Sequence, residues 1–209
     1  MYDNVRVPAD AVLGGEGQAF AIAQTRLGGG RIHHAMRTIA VVRQAFDLMC
    51  ERALARETRN GPLASLQMTQ ERIADSWIEI EQFRLLVLRT AWLIDKHNDY
   101  RRVRKDISAI KALMPKVMYD VVQRAMHLHG SLGISNEMPF SRWMVSAESL
   151  ALADGPTETH KVVVARQVLR EYQPHDGLFP RAHLPTRREA ARAKFASLAT
   201  LVDHEAAQL

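Results

Sequence analysis

The chain has 209 residues, 47% of them hydrophobic and 6% aromatic, with 28 Lys and Arg against 23 Asp and Glu for a net charge of +5. This composition allows one sizeable core, and its recurrent Ala, Leu, Val, Met and Arg favour helix. A lone cysteine, Cys50, excludes an internal disulfide framework, no apolar run is long enough to span a bilayer, and residues 1–25 lack a secretory-signal pattern; a cytoplasmic location is the expectation.

Residues 1–8 alternate, are rich in β formers and stop at Pro8, which predicts the end of a strand. Gly14, Gly15 and Gly17 follow as a turn, so residues 1–15 read as the end of a truncated β-domain strand with its turn. Such a strand has nothing to pair with in this sequence. Helical periodicity takes over from Gln18. Ile32, Ala35, Ile39, Val42, Phe46, Met49 and Ala53 form one apolar stripe of a helix reaching Thr58. Gly28, Gly29 and Gly30 interrupt it early, each at about 1 kcal/mol relative to Ala, which calls for a close approach by a backbone or ligand. Asn60-Gly61-Pro62 breaks the chain.

A second helix is predicted over 63–95, with Ile73, Trp77, Ile80, Val87, Ala91 and Ile94 on one face and His97-Asn98-Asp99 closing it. The basic cluster Arg101, Arg102, Arg104 and Lys105 reads as a solvated first turn, since no aromatics interleave with it as a nucleic-acid surface would require. The third helix runs over 101–128 with Ile107, Ile110, Met114, Val117, Met118, Val121, Ala125 and Leu128 in register. His129-Gly130-Ser131-Leu132-Gly133 supplies its C-cap and a loop. Pro139 starts a fourth helix to Ala153, Asp154-Gly155 breaks it, and Pro156-Thr157 starts a fifth that ends near Tyr172. The expected fold is therefore all-α, an up-down four-helix-type bundle over 16–172. Residues 173–185, with Pro174, Gly177, Pro180 and Pro185, read as a linker. Residues 186–207 form a last helix with Ala190, Ala193, Leu198, Leu201 and Val202 on a weaker apolar face; 173–209 is thus a linker and C-terminal helix.

Several chemistries lack their residues. No histidine accompanies a Gly-x-Ser-x-Gly elbow. A di-iron bundle needs Glu-x-x-His pairs, and Glu158 and His160 stand only two apart. Neither His33-His34 nor His127 and His129, with one cysteine, composes a zinc site. No metal is expected.

Widely separated features in a fixed order remain. They are Asp3-Asn4-Val5-Arg6-Val7-Pro8, Val12-Leu13-Gly14, the Gly17 to Phe20 helix entry, Leu27-x-x-Gly30-Arg31-Ile32, Arg56 with Gln67, His129-Gly130-x-x-Gly133, Asn136-Glu137-Met138-Pro139, Ala153-Asp154-Gly155-Pro156-Thr157 and Val164-Ala165-Arg166. Together, over about residues 1–170, they resemble the C-terminal helical half of the acyl-CoA dehydrogenase family. The Asp-Gly-Pro form resembles a subgroup fused in some animals to a kinase-like domain that handles hydroxyacyl-CoA.

The resemblance implies α,β-dehydrogenation of an acyl-CoA thioester with FAD as hydride acceptor. It places the α-proton base at Asp154, where most members carry Glu. Desolvation in a closed apolar site tunes such a carboxylate for proton abstraction, and its shorter reach must be made up by backbone position. It also implies that Arg56 reaches the FAD pyrophosphate from a neighbouring subunit, that Gln67, His127, Gly130 and Ser131 line that cofactor edge, that Pro156 and Glu158 contact the cofactor, and that Arg31 and Gly155 lie at the acyl site. The segments at 31, 130–133 and 156–158 are expected to frame one cleft around Asp154. Arg59-Asn60 stands where the family has Phe-Gly, His127 where it has Gln, Ser131 where it has the second loop Gly and Pro156 where it often has Thr. An N-terminal helical domain and a β-barrel domain, which complete the family enzymes, must come from elsewhere or from a partner chain. A homo-oligomer, a dimer or tetramer, is implied, with electron-transfer flavoprotein as a candidate partner. The other reading is a non-catalytic helical oligomerisation or interaction module that has lost FAD chemistry.

Overall fold

The computed structural model describes residues 1–175 and 177–206, and of residues 197–206 the backbone alone. Ala207 and the side chains of Leu198, Leu201 and Val202, assigned above to the last helix, therefore lie outside the described residues. The chain divides into two compact units, Met1–Leu169 and Arg170–Leu209.

In the first unit, residues 1–7 form no regular element and are exposed, so the expected strand is not seen in this segment; among the described residues no strand pairs with it to satisfy its backbone. Helix α1 spans Ala19–Ala55, α2 Gln67–His97, α3 Arg104–His129, α4 Ser131–Ile134, α5 Phe140–Leu152 and α6 Thr157–Leu169. Helix α3 packs against α1, α2, α5 and α6 and is the centre of the all-α bundle. All eight apolar residues predicted for its face are buried, from Ile107 to Leu128. The seven from Ile110 to Leu128 join Ala35, Val42 and Met49 of α1, Ile80, Phe83 and Val87 of α2, and Phe140, Trp143 and Ala147 of α5 in one core.

The first helix ends three residues earlier than predicted. Glu57–Thr58 pairs antiparallel with Gly61–Pro62, β1 and β2 of a minimal hairpin, and Gly61 takes φ 98° in its turn. Leu63–Ser65 is a 3-10 turn, which delays α2 to Gln67. Asn98, at φ 46°, caps α2 in the left-handed conformation.

The buried stripe of α2 is offset from the predicted face. It follows Thr69, Ser76, Ile80, Phe83, Val87 and Thr90, while Trp77 is 52% exposed. Ser76 and Thr90 are small enough for the interface, and their hydroxyls donate to the carbonyls of Arg72 and Leu86 at 2.7 and 2.8 Å. The bulky Trp77, Leu85, Leu88 and Trp92 are left outside.

The early glycines of α1 find their reason. A Cβ on Gly28 would stand 3.1 Å from the Tyr100 ring, so the connection after α2 lies flat on α1 there. At Gly133 a Cβ would meet the Met126 carbonyl at 2.1 Å. Only glycine lets α4 fold back on the end of α3.

The second unit contains α7, Leu184–Ala206. Before it, the Phe179 and His183 rings stack at 4.1 Å, and His183 and Thr186 side chains hydrogen bond at 2.8 Å.

Phe83 is fully buried against α1 and α3. Phe83→Ala is expected to lower stability by about 3–5 kcal/mol, read as a shift in the urea midpoint at constant slope.

Candidate functional site

The turn between α5 and α6 has an unusual backbone. Asp154 sits at φ 57° and Gly155 at φ 105°. Asp is among the few non-glycine residues tolerated in the left-handed region, but the conformation persists only where surroundings hold it. Three helices hold it. From α1, Arg31 donates Nε and Nη2 to the Asp154 carbonyl at 3.2 and 3.0 Å. From α6, His160 Nε2 reaches the same oxygen at 3.2 Å. From α3, Lys111 Nζ donates to the Leu150 carbonyl at 2.6 Å and the Gly155 carbonyl at 3.3 Å.

With its backbone fixed, the Asp154 side chain projects toward α1. Oδ2 lies 3.4 Å from His34 Nε2, and the carboxylate is 20% exposed. It is also 3.7 Å from where a Cβ on Gly30 would stand. The third glycine of the early run thus leaves room beside the carboxylate.

The electrostatics follow from burial. His160 is 4% exposed, and desolvation holds its pKa below the usual histidine value despite the bond to the Asp154 carbonyl; Arg31 and Lys111 push it the same way. The neutral Nε2–H tautomer satisfies both neighbours, donating to Asp154 and accepting on Nδ1 from the Ser108 hydroxyl at 3.3 Å. Desolvation also pulls the Lys111 pKa down, opposed by the Asp154 charge and reinforced by Arg31. Arg31 is lowered by burial, again opposed by Asp154.

A second site lies at the other end of α3. Arg52, Arg56, Glu57, Thr58, Leu63, His127, Leu128, His129, Gly130 and Ser131 line a cleft of about 410 Å³. Arg52 and Arg56, at i and i+4, put two guanidinium groups at its wall, and Arg52 Nε is buried without a hydrogen-bond partner. Two guanidiniums, one with an unmet donor, suit a phosphate-bearing ligand. His129 closes the floor, its Nδ1 at 2.8 Å from the Ala125 carbonyl and its ring 4.9 Å from Phe140.

The structure therefore gathers Arg31 and Gly155 around Asp154, and Arg56, His127, Gly130 and Ser131 around the second cleft. Gln67 opens α2 outside that lining, and Pro156 and Glu158 are exposed beside the Asp154 turn. The expectation that 130–133 joins the Asp154 cleft is corrected. Lys111 marks the Asp154 end of α3 and Gly130 its far end, about 30 Å apart at 1.5 Å per residue. Arg31 also differs from its expected role in what it grips, the backbone of residue 154. Sequence reasoning missed Lys111, His160 and Arg52. The first sits in the α3 apolar register, four residues after Ile107, and the last is one helical turn before Arg56.

These two sites can be set beside known proteins. The sequence profile of the family described as acyl-CoA dehydrogenase, C-terminal domain, matches residues 17–169. The chain belongs to the acyl-CoA dehydrogenase family. A probable acyl-CoA dehydrogenase of Mycobacterium tuberculosis is 44% identical over 168 residues, covering 80% of this chain and 41% of that protein. Acyl-CoA dehydrogenase family member 11 of Rattus norvegicus is 38% identical, over 81% of this chain and 22% of its own length. The solved structure of butyryl-CoA dehydrogenase from Megasphaera elsdenii superposes with TM-score 0.75 at 29% identity, over 81% of this chain and 43% of that one. The chain thus spans between about a fifth and two fifths of the length of these family members. Among the described residues no helix is long and apolar enough to cross a membrane, and no group of His, Cys, Asp and Glu is placed to hold a metal.

His160 is neutral in the fold and titrates near 6.5 when unfolded, so below that pH the unfolded state binds the extra proton. Its contribution to stability is complete above the unfolded value and is lost as pH falls through it. Urea unfolding at pH 5 and 7.5 is expected to show lower stability at pH 5, by a margin that shrinks in His160→Gln.

Proposed function

We propose that this chain furnishes the proton-abstracting half of a flavin-dependent acyl-CoA dehydrogenase, acting on the α and β carbons of an acyl-CoA thioester. The observation that carries the reading is the Asp154 turn. A carboxylate stands on a strained, triply held backbone, with a glycine opposite it and two cations behind it, Lys111 buried and Arg31 half-buried. Such a group is fixed in place before a substrate arrives, which is what positioned general bases require.

In this mechanism Asp154 takes the α proton of the thioester, the electron pair moves toward the β carbon, and the β hydrogen departs as hydride. Bound FAD supplies the acceptor for that hydride. Arg31 and His160 hold the Asp154 backbone so that the shorter Asp side chain meets the α carbon, and Gly155, where a Cβ would stand 3.1 Å from His160 Nε2, lets the turn at the acyl site close on that ring. Arg56 and Arg52 would hold the cofactor's pyrophosphate, with His127, Gly130 and Ser131 along its edge and Gln67 nearby. Pro156 and Glu158, at the start of α6, would face the cofactor bound beside their own Asp154. The unmet donor of Arg52 supports phosphate at that cleft.

The two sites lie toward opposite ends of α3, about 30 Å apart at 1.5 Å per residue. The arrangement therefore supports a homo-oligomer, in which the Arg56 cleft of one copy serves the cofactor beside Asp154 of another. Trp77, Leu85, Leu88 and Trp92 form an exposed apolar face on α2 that suits self-association. The helical and β domains of the family, in the same polypeptide or a partner chain, would close the site, and an electron-transferring flavoprotein would take the electrons onward. A cytoplasmic setting fits the lone, half-buried Cys50.

Asp154→Asn is expected to reduce turnover by about 10²–10⁴-fold with an unchanged unfolding midpoint; unchanged turnover would remove Asp154 from the mechanism. Arg56→Ala is expected to weaken FAD binding about tenfold or more, read by quenching of flavin fluorescence. Wild-type protein that stays colourless on incubation with FAD, while still sedimenting as an oligomer, would instead support the non-catalytic oligomerisation module.

A further inference from the structure

Lys111 is 1% exposed two turns into α3, at a position whose neighbours in register are Ile107 and Met114. A methionine would fill that volume with no cost of burying a charge. The lysine is accommodated by the two oxygens it reaches. One is the Leu150 carbonyl, among the last carbonyls of α5, which no later helical amide can satisfy. The other is the Gly155 carbonyl, on the far side of Asp154. A single ammonium thus ties the end of α5 to the residue after the carboxylate, bracketing the left-handed turn from below. It does not touch the carboxylate. The Asp154 carbonyl is held independently by Arg31 and His160, so loss of the lysine frees the turn without removing every restraint.

From this bracketing we infer that Lys111 is a positioning residue, a buried ammonium strut that sets where the Asp154 side chain stands relative to a substrate's α carbon. The inference of a catalytic consequence rests on the dehydrogenase reading; the strut itself does not.

The test uses the full chain joined by the completing helical and β domains and loaded with FAD, comparing wild type, Lys111→Met, and Lys111→Cys in a Cys50→Ala background before and after aminoethylation, which rebuilds a lysine isostere. Amide hydrogen exchange at residues 153–158 is expected to accelerate about tenfold in Lys111→Met, with core amides of α1–α3 within about twofold. With butyryl-CoA and ferrocenium as acceptor, kcat is expected to fall on the order of tenfold or more while KM stays within about twofold. Aminoethylation restores both. Exchange that is unchanged at the turn, or accelerated equally everywhere, would make Lys111 a residue of general stability and overturn the proposal. So would an unchanged kcat in active protein, or no rescue by the isostere. Wild type that takes up FAD but turns over no acyl-CoA would sink the dehydrogenase reading, while the exchange pattern still decides the strut.

Discussion

A helix that ends inside a protein leaves carbonyl oxygens in want of donors, and the junction of α5 and α6 meets that demand from other helices. The side chains of Arg31, Lys111 and His160 come from α1, α3 and α6 and all terminate on backbone oxygens between residues 150 and 155. Each is partly or wholly buried, and each would be costly to leave unpaired. The junction therefore fixes the relative placement of three helices as much as those helices fix the junction. The left-handed Asp154 follows from this mutual constraint, since an isolated Asp-Gly turn would have no reason to hold it.

Much of the bundle was legible in the sequence because its helices are long and their apolar period is clean. The eight residues named for the α3 stripe are all buried, and the breaks at Asn60-Gly61-Pro62, Asn98 and Asp154-Gly155 all lie between helices. The misreading of α2 had a definite cause. Ser76 and Thr90 are polar by type, yet they bury their hydroxyls on carbonyls of their own helix, while large apolar Trp77 stays outside. Helix boundaries near Leu63 depended on a 3-10 turn that periodicity does not distinguish from a first helical turn.

For the site, the residues that carry a familiar pattern were legible and those that support them were not. Asp154, Arg31 and Arg56 stand in recognisable surroundings. Lys111 looks like a surface lysine in a list of residue types, and only its place in the apolar register betrays it. The grouping of the glycine loop with Asp154 failed on length alone. Sequence order carries no metric, and a helix of 26 residues puts its two ends in different neighbourhoods.

The Asp154 carbonyl has consequences for chemical selectivity. An amide oxygen offers two lone pairs, and here Nε and Nη2 of Arg31 together with Nε2 of His160 already crowd around them. The oxygen is saturated. A hydroxyl or amide proton brought in by any incoming molecule finds no acceptor on the main chain of residue 154 and must turn to Oδ1 or Oδ2. The fold has in effect silenced the competing basic atom nearest its carboxylate, so that recognition at this corner of the bundle is channelled through a single functional group.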